Sequence, residues 1–473
     1  MKHYDLCVIG TGPAGQKAAI QASKLGKRVC ITERNPVLGG ASINTGTIPS
    51  KALREAVLHL TGVGKRGLFG EVARIKRNIT VADLIYVSQQ VINKELSIIR
   101  DQLDRNGVDL IWGTARFEAP KVVIVDRPDD SEQIEADYFV IASGSRPAKP
   151  ATVPFDDTSV FTSDELLRLR DLPKSIIVVG GGVIGTEYAC MMATLGVKTT
   201  LVEGRHEVLG FLDTEITESF QYQMRHINIT LRLGEKVAKI EKLTPEQSAA
   251  KGDPAVPLVQ ATLESGKQLR AQTLLYAIGR QGNTDSLHLE RAGLKVDERQ
   301  RLHVNSDYQT EQPHIYAAGD VIGFPALAST SMEQGRLAVC HAFGVPTNSL
   351  PELFPYGIYS IPEISMVGKT EAQLTEAGIP YEAGIAQYSE LARGQLLGDD
   401  TGMLKLLIHQ DNHQILGVHA IGTEATELIH IGQAVMAFKG TVEFFINNVF
   451  NYPTLAEAYK VAALNGLNKL RHV

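Results

Sequence analysis

The stretch that decides the fold is YDLCVIGTGPAGQKAAIQASKLGKRVCITER, residues 4–34. An apolar run ends at Gly10, the spacing Gly10-x-Gly12-x-x-Gly15 opens a helical pattern, and a second apolar run ends at Glu33. In such a pattern the first glycine makes the turn, the second lets backbone approach a pyrophosphate, and the third permits close helix packing. The stretch predicts a strand–helix–strand unit, with a dinucleotide at the helix N-terminus and its adenosine ribose on Glu33.

The same pattern returns in KSIIVVGGGVIGTEYACMMATLGVKTTLVEG, residues 174–204. Gly180, Gly182 and Gly185 repeat the glycine spacing, and Glu203 ends the second apolar run. The chain is therefore predicted to bind two dinucleotides. Glu203 favours a free ribose 2'-hydroxyl over a 2'-phosphate, which points to NAD(H).

Two cations follow this second acid. Arg205 and His206 stand close enough in sequence to reach a 2'-phosphate, which would admit NADP(H). A solvated loop charge is the alternative interpretation of Arg205. The sequence leaves both interpretations open.

The pattern between and after the two motifs predicts the domain organisation. Helical periodicity covers residues 50–106, and strand-like alternation covers 109–141. The second motif then interrupts the first domain, which we expect to resume with a strand at 273–278 and with HIYAAGD at 314–320. Turn signals at 346–355 indicate a linker, and the strand and helix patterns after it predict a third domain.

The composition restricts the partners. The 473 residues carry a net charge of −6 without a long block of Lys or Arg, so we expect neither nucleic acid nor a membrane surface as a partner. The apolar run at 175–197 has the length of a membrane span, but Glu187 and the glycines favour the nucleotide-binding interpretation. No signal peptide is read before the first strand, and a cytoplasmic protein is expected.

The four cysteines are scattered along the chain without CxxC spacing. They are Cys7, Cys30, Cys190 and Cys340. This spacing predicts neither a disulfide framework nor a metal site, and each cysteine is expected to be a small buried residue.

Further segments identify a family. ASGSRP at 142–147, AIGRQGNT at 277–284 and TEQPHIYAAGD at 310–320, taken with the two glycine motifs, resemble the two-dinucleotide-binding flavoproteins related to dihydrolipoamide dehydrogenase and glutathione reductase. The resemblance covers essentially the whole chain. It implies an α/β fold with two Rossmann-like domains, one for FAD and one for NAD(P), and a C-terminal α+β dimerisation domain.

The resemblance also implies boundaries and contacts. The expected parts are an FAD-binding domain at 1–147 that resumes at 278–345, an NAD(P)-binding domain at 148–277 and a dimerisation domain at 346–473. The expected FAD contacts are Gly10, Gly12, Gly15, Glu33, Arg34, Gly40, Ala41, Ser42, Thr47, Lys51, Ala115, Ser143, Gly144, Asp320 and Ala328. The expected NAD(P) contacts are Gly180, Gly182, Gly185, Glu187, Glu203, Arg205 and Gly279.

The chain departs from the disulfide-reducing members of this family in two segments. Those members carry cysteines at the positions of Ser42 and Thr47, and a histidine at the position of Tyr452, near the acid that matches Glu457. An alcohol cannot store an electron pair as a disulfide does, and a phenol is a poor base at neutral pH. Together the two departures indicate that the thiol half of the reaction is lost. In the family, the matching residues lie near the flavin of the partner chain; for Tyr452, packing against the partner is an alternative to a catalytic role.

The flavin half of the family's machinery is retained. Lys51 matches the lysine that lies beside the flavin N5, and Glu187 matches the glutamate that pairs with it. An ammonium held there would stabilise the negative charge that develops on the isoalloxazine during reduction.

The segments GTIPSK, GDVIGFPALAS, GIYSIPEIS and FNYPTLAEAYKVAALNGLN resemble one subgroup, the soluble FAD-dependent pyridine nucleotide transhydrogenases. The resemblance implies reversible hydride transfer between NADPH and NAD+ through FAD, without a redox-active disulfide, in a homodimer or higher homo-oligomer. Some members keep a cysteine at the position of Ser42, and hydride transfer itself does not require it. An NAD(P)H diaphorase or quinone reductase is the alternative enzyme, and a flavoprotein with vestigial chemistry is a third interpretation.

Overall fold

The computed structural model describes residues 2–63, 76, 78–347 and 353–470. The chain divides into two units. The first comprises Met1–Leu53, Ile85–Ala148 and Gly279–Ser349, and the second comprises Arg54–Leu84, Lys149–Ile278 and Leu350–Val473.

A seven-stranded sheet forms the centre of the first unit. Its strands, numbered along the chain, are β1 (Lys2–Ile9), β2 (Val29–Glu33), β3 (Asp109–Trp112), β4 (Thr114–Ala119), β5 (Val122–Asp126), β6 (Ser131–Ile141) and β17 (Ile315–Ala317). The order is β3-β2-β1-β6-β5-β4, and β17 pairs with β6. The pairs β3-β2, β2-β1, β1-β6 and β6-β17 are parallel, whereas β4, β5 and β6 are antiparallel neighbours. Successive side chains of β1 point to opposite faces of the sheet, and each face packs in its own hydrophobic cluster. Cys7 and Ile9 lie in one cluster, and Leu6 and Val8 lie in the other.

The remaining elements of the first unit flank this sheet. The helices are α1 (Pro13–Lys24), α2 (Gly40–Asn44) and α9 (Ala328–Ala342), with 3-10 turns at Leu289–Ala292 and Asp320–Ile322. Strands β7 (Ser145–Pro147) and β16 (Arg280–Gly282) form an antiparallel pair. Helices α3 (Thr47–Thr61) and α4 (Val81–Arg105) each contain one of the points at which the chain changes unit, after Leu53 and after Leu84.

A parallel sheet carries the second glycine motif in the second unit. Its strands are β8 (Val160–Phe161), β9 (Ser175–Val179), β10 (Lys198–Glu203), β11 (Thr230–Leu233) and β15 (Thr273–Tyr276), in the order β11-β10-β9-β15-β8. An antiparallel sheet of β12 (Val237–Leu243), β13 (Leu258–Leu263) and β14 (Gln268–Ala271) lies between β11 and β15 in the chain. The helices of this part are α5 (Ser163–Leu166), α6 (Val183–Thr194), α7 (Thr214–His226) and α8 (Pro245–Ala250).

The C-terminal part of the second unit is built on a five-stranded antiparallel sheet in the order β18-β19-β22-β21-β20. The strands are β18 (Tyr356–Ile358), β19 (Ile364–Gly368), β20 (Tyr381–Gln387), β21 (Met403–His409) and β22 (Ile415–Ile421). The helices are α10 (Glu371–Glu376), α11 (Ala392–Leu397), α12 (Ala425–Ala437), α13 (Glu443–Asn447) and α14 (Glu457–Leu470), with a 3-10 turn at Tyr388–Glu390.

The predicted α/β fold class is confirmed, with two strand–glycine turn–helix–strand units and a C-terminal α+β part. The residues with strand-like alternation at 109–141 form β3 to β6. The residues with helical periodicity at 50–106 include most of α3 and all of α4, and some residues between these two helices lie outside the described ranges. The linker predicted at 346–355 lies partly outside the described residues. Among those described, no helix combines the length and apolar character of a membrane span.

One strand assignment was wrong. Residues 273–278 were expected to return the chain to the first sheet, but Thr273–Tyr276 pairs in parallel with β9 in the second sheet, with Leu274 opposite Ile177. The strand also pairs with β8, so apolar neighbours flank it on both sides. The segment at 314–320 does return to the first sheet, where Ile315–Ala317 pairs with β6.

Candidate functional site

The first glycine turn packs tightly on its protein side. Gly10 has φ of +105°, and a Cβ built there would lie 2.5 Å from the Ala142 carbonyl oxygen. A Cβ at Gly15 would lie 1.9 Å from the Gly10 carbonyl oxygen, so α1 approaches the turn as only glycine allows. At Gly12, the N-cap of α1, no described atom lies within 4 Å of a built Cβ, and no described side chain caps the helix. The turn therefore presents backbone N–H groups beside open space, as a pyrophosphate requires.

The acid at the end of β2 is held by this turn. The buried Glu33 carboxylate accepts hydrogen bonds from the Thr11 hydroxyl at 2.5 Å and from the Asn35 N–H at 2.9 Å. The Thr11 hydroxyl also accepts the Gly39 N–H at 3.1 Å. Thr11 thereby links the turn between β1 and α1 to the end of β2 and to the segment that begins at Gly39. Sequence reasoning missed it, although its place between two motif glycines was a usable signal.

A second group of polar residues gathers at the carboxyl ends of β6 and β17. The Ser143 hydroxyl is buried and has no hydrogen-bond partner among the described residues. Asp320 accepts the Ser145 hydroxyl at 2.6 Å, and Gly319 just before it has φ of +83° and donates to Gln334 at 2.9 Å. Gly144 has φ of +70° and accepts the Asn283 N–H at 2.9 Å. Asn283 and Gln334 were not predicted, because no sequence spacing ties them to the strand ends they fix.

The segment at 39–51 forms two short helical turns. Gly40 has φ of +58°, and a Cβ there would lie 3.0 Å from Gly12 Cα, so α2 begins against the first glycine turn. Ala41 and Thr47 are exposed and Ser42 is half-buried. Lys51 lies in the first turns of α3, where its ammonium donates to the Ser50 hydroxyl at 3.3 Å and makes further contacts. The segment therefore brings the backbone at Gly40 against the first glycine turn.

A cleft of about 790 Å³ opens at the edge of the first sheet. Its lining includes the predicted Arg34 together with Trp112, Thr114 and Arg127. The neighbouring Ala115 turns its side chain into the core, so only its backbone can contribute to binding. Ala328, another predicted contact, is the first residue of α9.

The second glycine turn repeats the geometry of the first. Gly180 has φ of +112°, and a Cβ at Gly185 would lie 1.9 Å from the Gly180 carbonyl oxygen. Gly182, the N-cap of α6, again has no described atom within 4 Å of a built Cβ. The second unit thus presents the same open helix N-terminus.

Glu203 stands beside this turn. One carboxylate oxygen accepts the Gly181 N–H at 2.6 Å, and the other accepts the Arg205 N–H at 2.9 Å and the Arg205 side chain at 3.2 Å. Burial opposes ionisation, but these hydrogen bonds and the Arg205 charge outweigh it and lower the pKa of Glu203. Glu203 is therefore an anion held by backbone, with Arg205 as an exposed partner.

The other predicted residues belong to other elements of the chain. Glu187 is 3% exposed on α6, accepts the Tyr359 N–H at 2.9 Å and makes further contacts. Gly279, expected at the nicotinamide nucleotide, belongs to the first unit and has φ of +76°. Tyr452 is 67% exposed, and a buried oxygen of Glu457 has no hydrogen-bond partner among the described residues.

The four cysteines are free and buried. Cys7 and Cys30 are register partners on β1 and β2, Cys190 lies on α6 and Cys340 on α9. The expectation that they are small core residues is confirmed. Ser42 and Thr47 are hydroxyl residues, so no thiol belongs to the segment at 39–51.

A charged cluster lies within the second unit, and sequence reasoning missed it. The Lys405 side chain is fully buried, and its ammonium donates to Asp213 at 2.8 Å, to Glu215 at 2.9 Å and to Glu371. Oxygens of the three acids lie within 4.8 Å of one another, an arrangement that would suit a cation, and the Lys405 ammonium contacts all three. Because Asp213 precedes α7 and Lys405 lies on β21, the cluster ties the parallel-sheet part of this unit to its C-terminal part.

His419 borders this cluster, opposite Lys405 in the sheet register. One ring nitrogen lies 2.9 Å from the Lys369 carbonyl oxygen, and the other is buried without a hydrogen-bond partner among the described residues. Burial lowers the pKa of His419, partly offset by Asp213 and the Lys369 carbonyl, while the Lys405 charge adds to the lowering. The neutral ring is therefore the native form.

A pH dependence of stability follows from His419. The unfolded state binds a proton on this histidine at a higher pH than the folded state does, so folding loses free energy as pH falls below about 6.5, the ordinary histidine value. We expect the thermal unfolding midpoint to fall between pH 7.5 and 5.5. The His419→Gln variant keeps a donor for Lys369 but does not titrate, and its fall should be smaller. An equal fall in both proteins would contradict the assignment.

Comparison with known proteins identifies the class. The family model described as pyridine nucleotide-disulphide oxidoreductase matches residues 4–335, and the dimerisation domain of the same family matches residues 354–463. The chain belongs to the pyridine nucleotide-disulphide oxidoreductase family.

Individual proteins of similar sequence or structure were also found. The soluble pyridine nucleotide transhydrogenase of Mycobacterium tuberculosis (strain ATCC 25177 / H37Ra) is 53% identical over all of this chain and 98% of its own length. That of Shigella flexneri is 45% identical over 99% of this chain and 98% of its own length. Among solved structures, the HOCl-induced flavoprotein disulfide reductase RclA from Escherichia coli has a TM-score of 0.85 at 27% identity, covering 98% of this chain and 99% of RclA. LpdA from M. tuberculosis shares the fold, with a TM-score of 0.87 at 24% identity over 98% of this chain and 99% of LpdA.

Proposed function

We propose that this chain passes hydride reversibly between NADPH and NAD+ through bound FAD, without a disulfide of its own. The names of the relatives at 53% and 45% identity support the reaction. The observation on which the proposal rests is the position and redox state of the cysteine thiols. All four cysteines are buried and free, and hydroxyl residues occupy the segment where disulfide-reducing members of the family keep their thiols. An electron pair therefore has no protein dithiol to enter.

The residues of the first unit fit FAD. The open helix N-terminus at Gly12 suits a pyrophosphate, the Glu33 carboxylate a ribose, and the unpartnered Ser143 hydroxyl and the Asp320 carboxylate further polar groups. When bound, FAD supplies a group that accepts and returns a hydride. We assign it to Gly10, Gly12, Gly15, Glu33, Arg34, Gly40, Ala41, Ser42, Thr47, Lys51, Ala115, Ser143, Gly144, Asp320 and Ala328.

The second glycine turn is assigned to NAD(H) and NADP(H), which occupy it in turn. Its open N-terminus at Gly182 supports this assignment. The residues are Gly180, Gly182, Gly185, Glu187, Glu203, Arg205 and Gly279. Because the 2'-phosphate is remote from the nicotinamide ring, we expect the cellular ratios of the two coenzymes to set the direction.

Lys51 and Glu187 are assigned to catalysis at the reacting rings. The Lys51 ammonium would offset negative charge that develops during hydride transfer. Glu187, held by the Tyr359 N–H, would fix the lysine. That these two side chains pair stays a prediction.

We further propose a homodimer or higher homo-oligomer formed by the C-terminal part, which matches the family's dimerisation domain. Exposed apolar side chains there support this, since Phe438 is 89% exposed and Val449 is 92% exposed. Tyr452, which is 67% exposed, and Glu457, with its unpartnered oxygen, are assigned to this interface near the partner's flavin. The domain boundaries at 147, 277 and 345 and a cytoplasmic location stay predictions.

Anaerobic mixing tests the reaction directly. The FAD-loaded protein is mixed with NADPH and then with the thio-analogue of NAD+, while the flavin band and the analogue's own absorbance are followed. We expect bleaching of the flavin band, then its recovery as the reduced analogue appears. Bleaching without recovery would refute hydride exchange between nicotinamides. Rapid turnover with a quinone in that case would favour the diaphorase alternative.

A further inference from the structure

Three basic residues gather around the carboxyl end of β10 in the second unit: Arg205, His206 and Lys236. The loop after β10 and the turn after β11 are joined by two backbone hydrogen bonds, from Gly234 to the Arg205 carbonyl at 2.7 Å and from Glu235 to the Glu203 carbonyl at 3.1 Å. Lys236, distant in sequence from the glycine motif, is thereby brought beside Glu203.

Two glycines make room for these side chains. A Cβ built at Gly204 would lie 3.1 Å from Cγ of Lys236, so the lysine stem runs across the surface that the missing side chain leaves free. A Cβ at Gly234 would lie 2.9 Å from the His206 ring. The two loops are therefore shaped to hold basic side chains at the strand end that Glu203 closes.

The charges at this strand end differ in how firmly they are held. Glu203 is fixed by the Gly181 and Arg205 N–H groups, so its carboxylate keeps two hydrogen bonds if the Arg205 side chain leaves. The Arg205 side chain is 56% exposed, and an exposed ion pair holds its partners weakly. Lys236 is exposed, and none of its ammonium hydrogens has a partner among the described residues.

A charge balance indicates what this arrangement can accept. A ribose 2'-phosphate brings a charge of roughly −1.5 to −2 at neutral pH, as phosphate monoesters do. Glu203 repels it, and Arg205 alone neutralises no more than Glu203. A second mobile cation is needed for NADPH to bind where Glu203 holds the ribose of NADH.

We propose that Lys236 is that second cation, and that Arg205 changes partner between the two coenzymes. With NADH, Arg205 stays on Glu203, which accepts the ribose hydroxyl. With NADPH, Arg205 turns to the 2'-phosphate while Lys236 offsets the charge of Glu203. The inference rests on the proposed function for its ligand, and it explains how one site that carries an acid accepts both coenzymes.

Binding of adenosine fragments tests this without hydride transfer. The affinities of the FAD-loaded protein for 2',5'-ADP and for 5'-AMP are measured by titration calorimetry. Lys236→Gln is expected to lower the affinity for 2',5'-ADP about 5- to 20-fold, which corresponds to about one to two kcal/mol for a charged contact. The affinity for 5'-AMP should change by less than about twofold. The salt dependence of 2',5'-ADP affinity should weaken in the variant as well.

Lys242→Gln is the matched control. Lys242 is an exposed lysine of β12, the strand that begins directly after Lys236, and it pairs with Asp156 at 3.1 Å, about 20 Å further along the chain. It should change neither affinity. If Lys236→Gln weakens both fragments equally, or neither, the assignment of Lys236 is wrong. Because the fragments carry no nicotinamide, this result is independent of whether the anaerobic experiment supports hydride exchange.

Discussion

Gly185→Val is expected to abolish reduction of the flavin by NADPH and NADH, by more than about 100-fold, while FAD stays bound. A Cβ at this position would lie 1.9 Å from the Gly180 carbonyl oxygen, so α6 must move away from the turn. The helix N-terminus moves with it, and displacing a binding group by about 1 Å can cost 10²-fold. Stopped-flow absorbance of the flavin band measures the loss.

The reciprocal substitution tests the division of labour between the motifs. Gly15→Val meets the same 1.9 Å overlap with the Gly10 carbonyl oxygen, and it should yield protein without FAD that still binds 2',5'-ADP. Ala193→Val, half-buried on the same helix as Gly185, is the control for added volume. If Gly185→Val lost FAD and Gly15→Val kept it, the assignment of the two turns would be reversed.

Lys405→Met is expected to destabilise the second unit by about 3–5 kcal/mol, the usual cost of removing one partner from a buried ionic group. The variant leaves three carboxylates facing one another, with Asp213 only 1% exposed. Thermal unfolding followed by circular dichroism at neutral pH measures the effect as a lower midpoint.

Two further variants separate this explanation from simple loss of packing. Adding Asp213→Asn to Lys405→Met removes one buried negative charge and should recover part of the midpoint. Lys239→Met replaces a lysine that is 66% exposed and paired with Glu241, and it should leave the midpoint nearly unchanged. A double variant less stable than Lys405→Met alone would show that charge repulsion is not the cause.

The sequence predicts those parts of the fold, such as the glycine turns, whose backbone conformation only one type of residue can adopt. Gly10 and Gly180 adopt positive φ, and Gly15 and Gly185 approach a carbonyl oxygen, so the spacing of these glycines is enough to locate both glycine turns. The alternation at 109–141 likewise predicts β3 to β6, because one face of each strand is buried.

Sequence reasoning fails where the deciding partner is distant. The apolar strand at Thr273–Tyr276 fits either parallel sheet by composition, and only its pairing with β9 assigns it to the second. Lys405 lies in the apolar strand MLKLLIH, 192 residues from Asp213, and nothing local indicates a buried ammonium. Lys236 is brought to the end of β10 by backbone hydrogen bonds between two loops that are distant in sequence, and no sequence motif indicates this.

The burial of the four cysteines affects how readily this protein reacts with oxidants. Thiols react with peroxides and electrophiles as exposed thiolates. Cys7 and Cys30 face each other inside a sheet, where their hydrogen bond and burial raise the pKa of Cys30, and burial raises the pKa of Cys190 to about 12. Reagents that cap the accessible dithiol of a disulfide reductase find no comparable target among these four cysteines. We therefore expect hydride transfer by this chain to tolerate thiol-modifying oxidants better than a reaction that depends on an exposed dithiol.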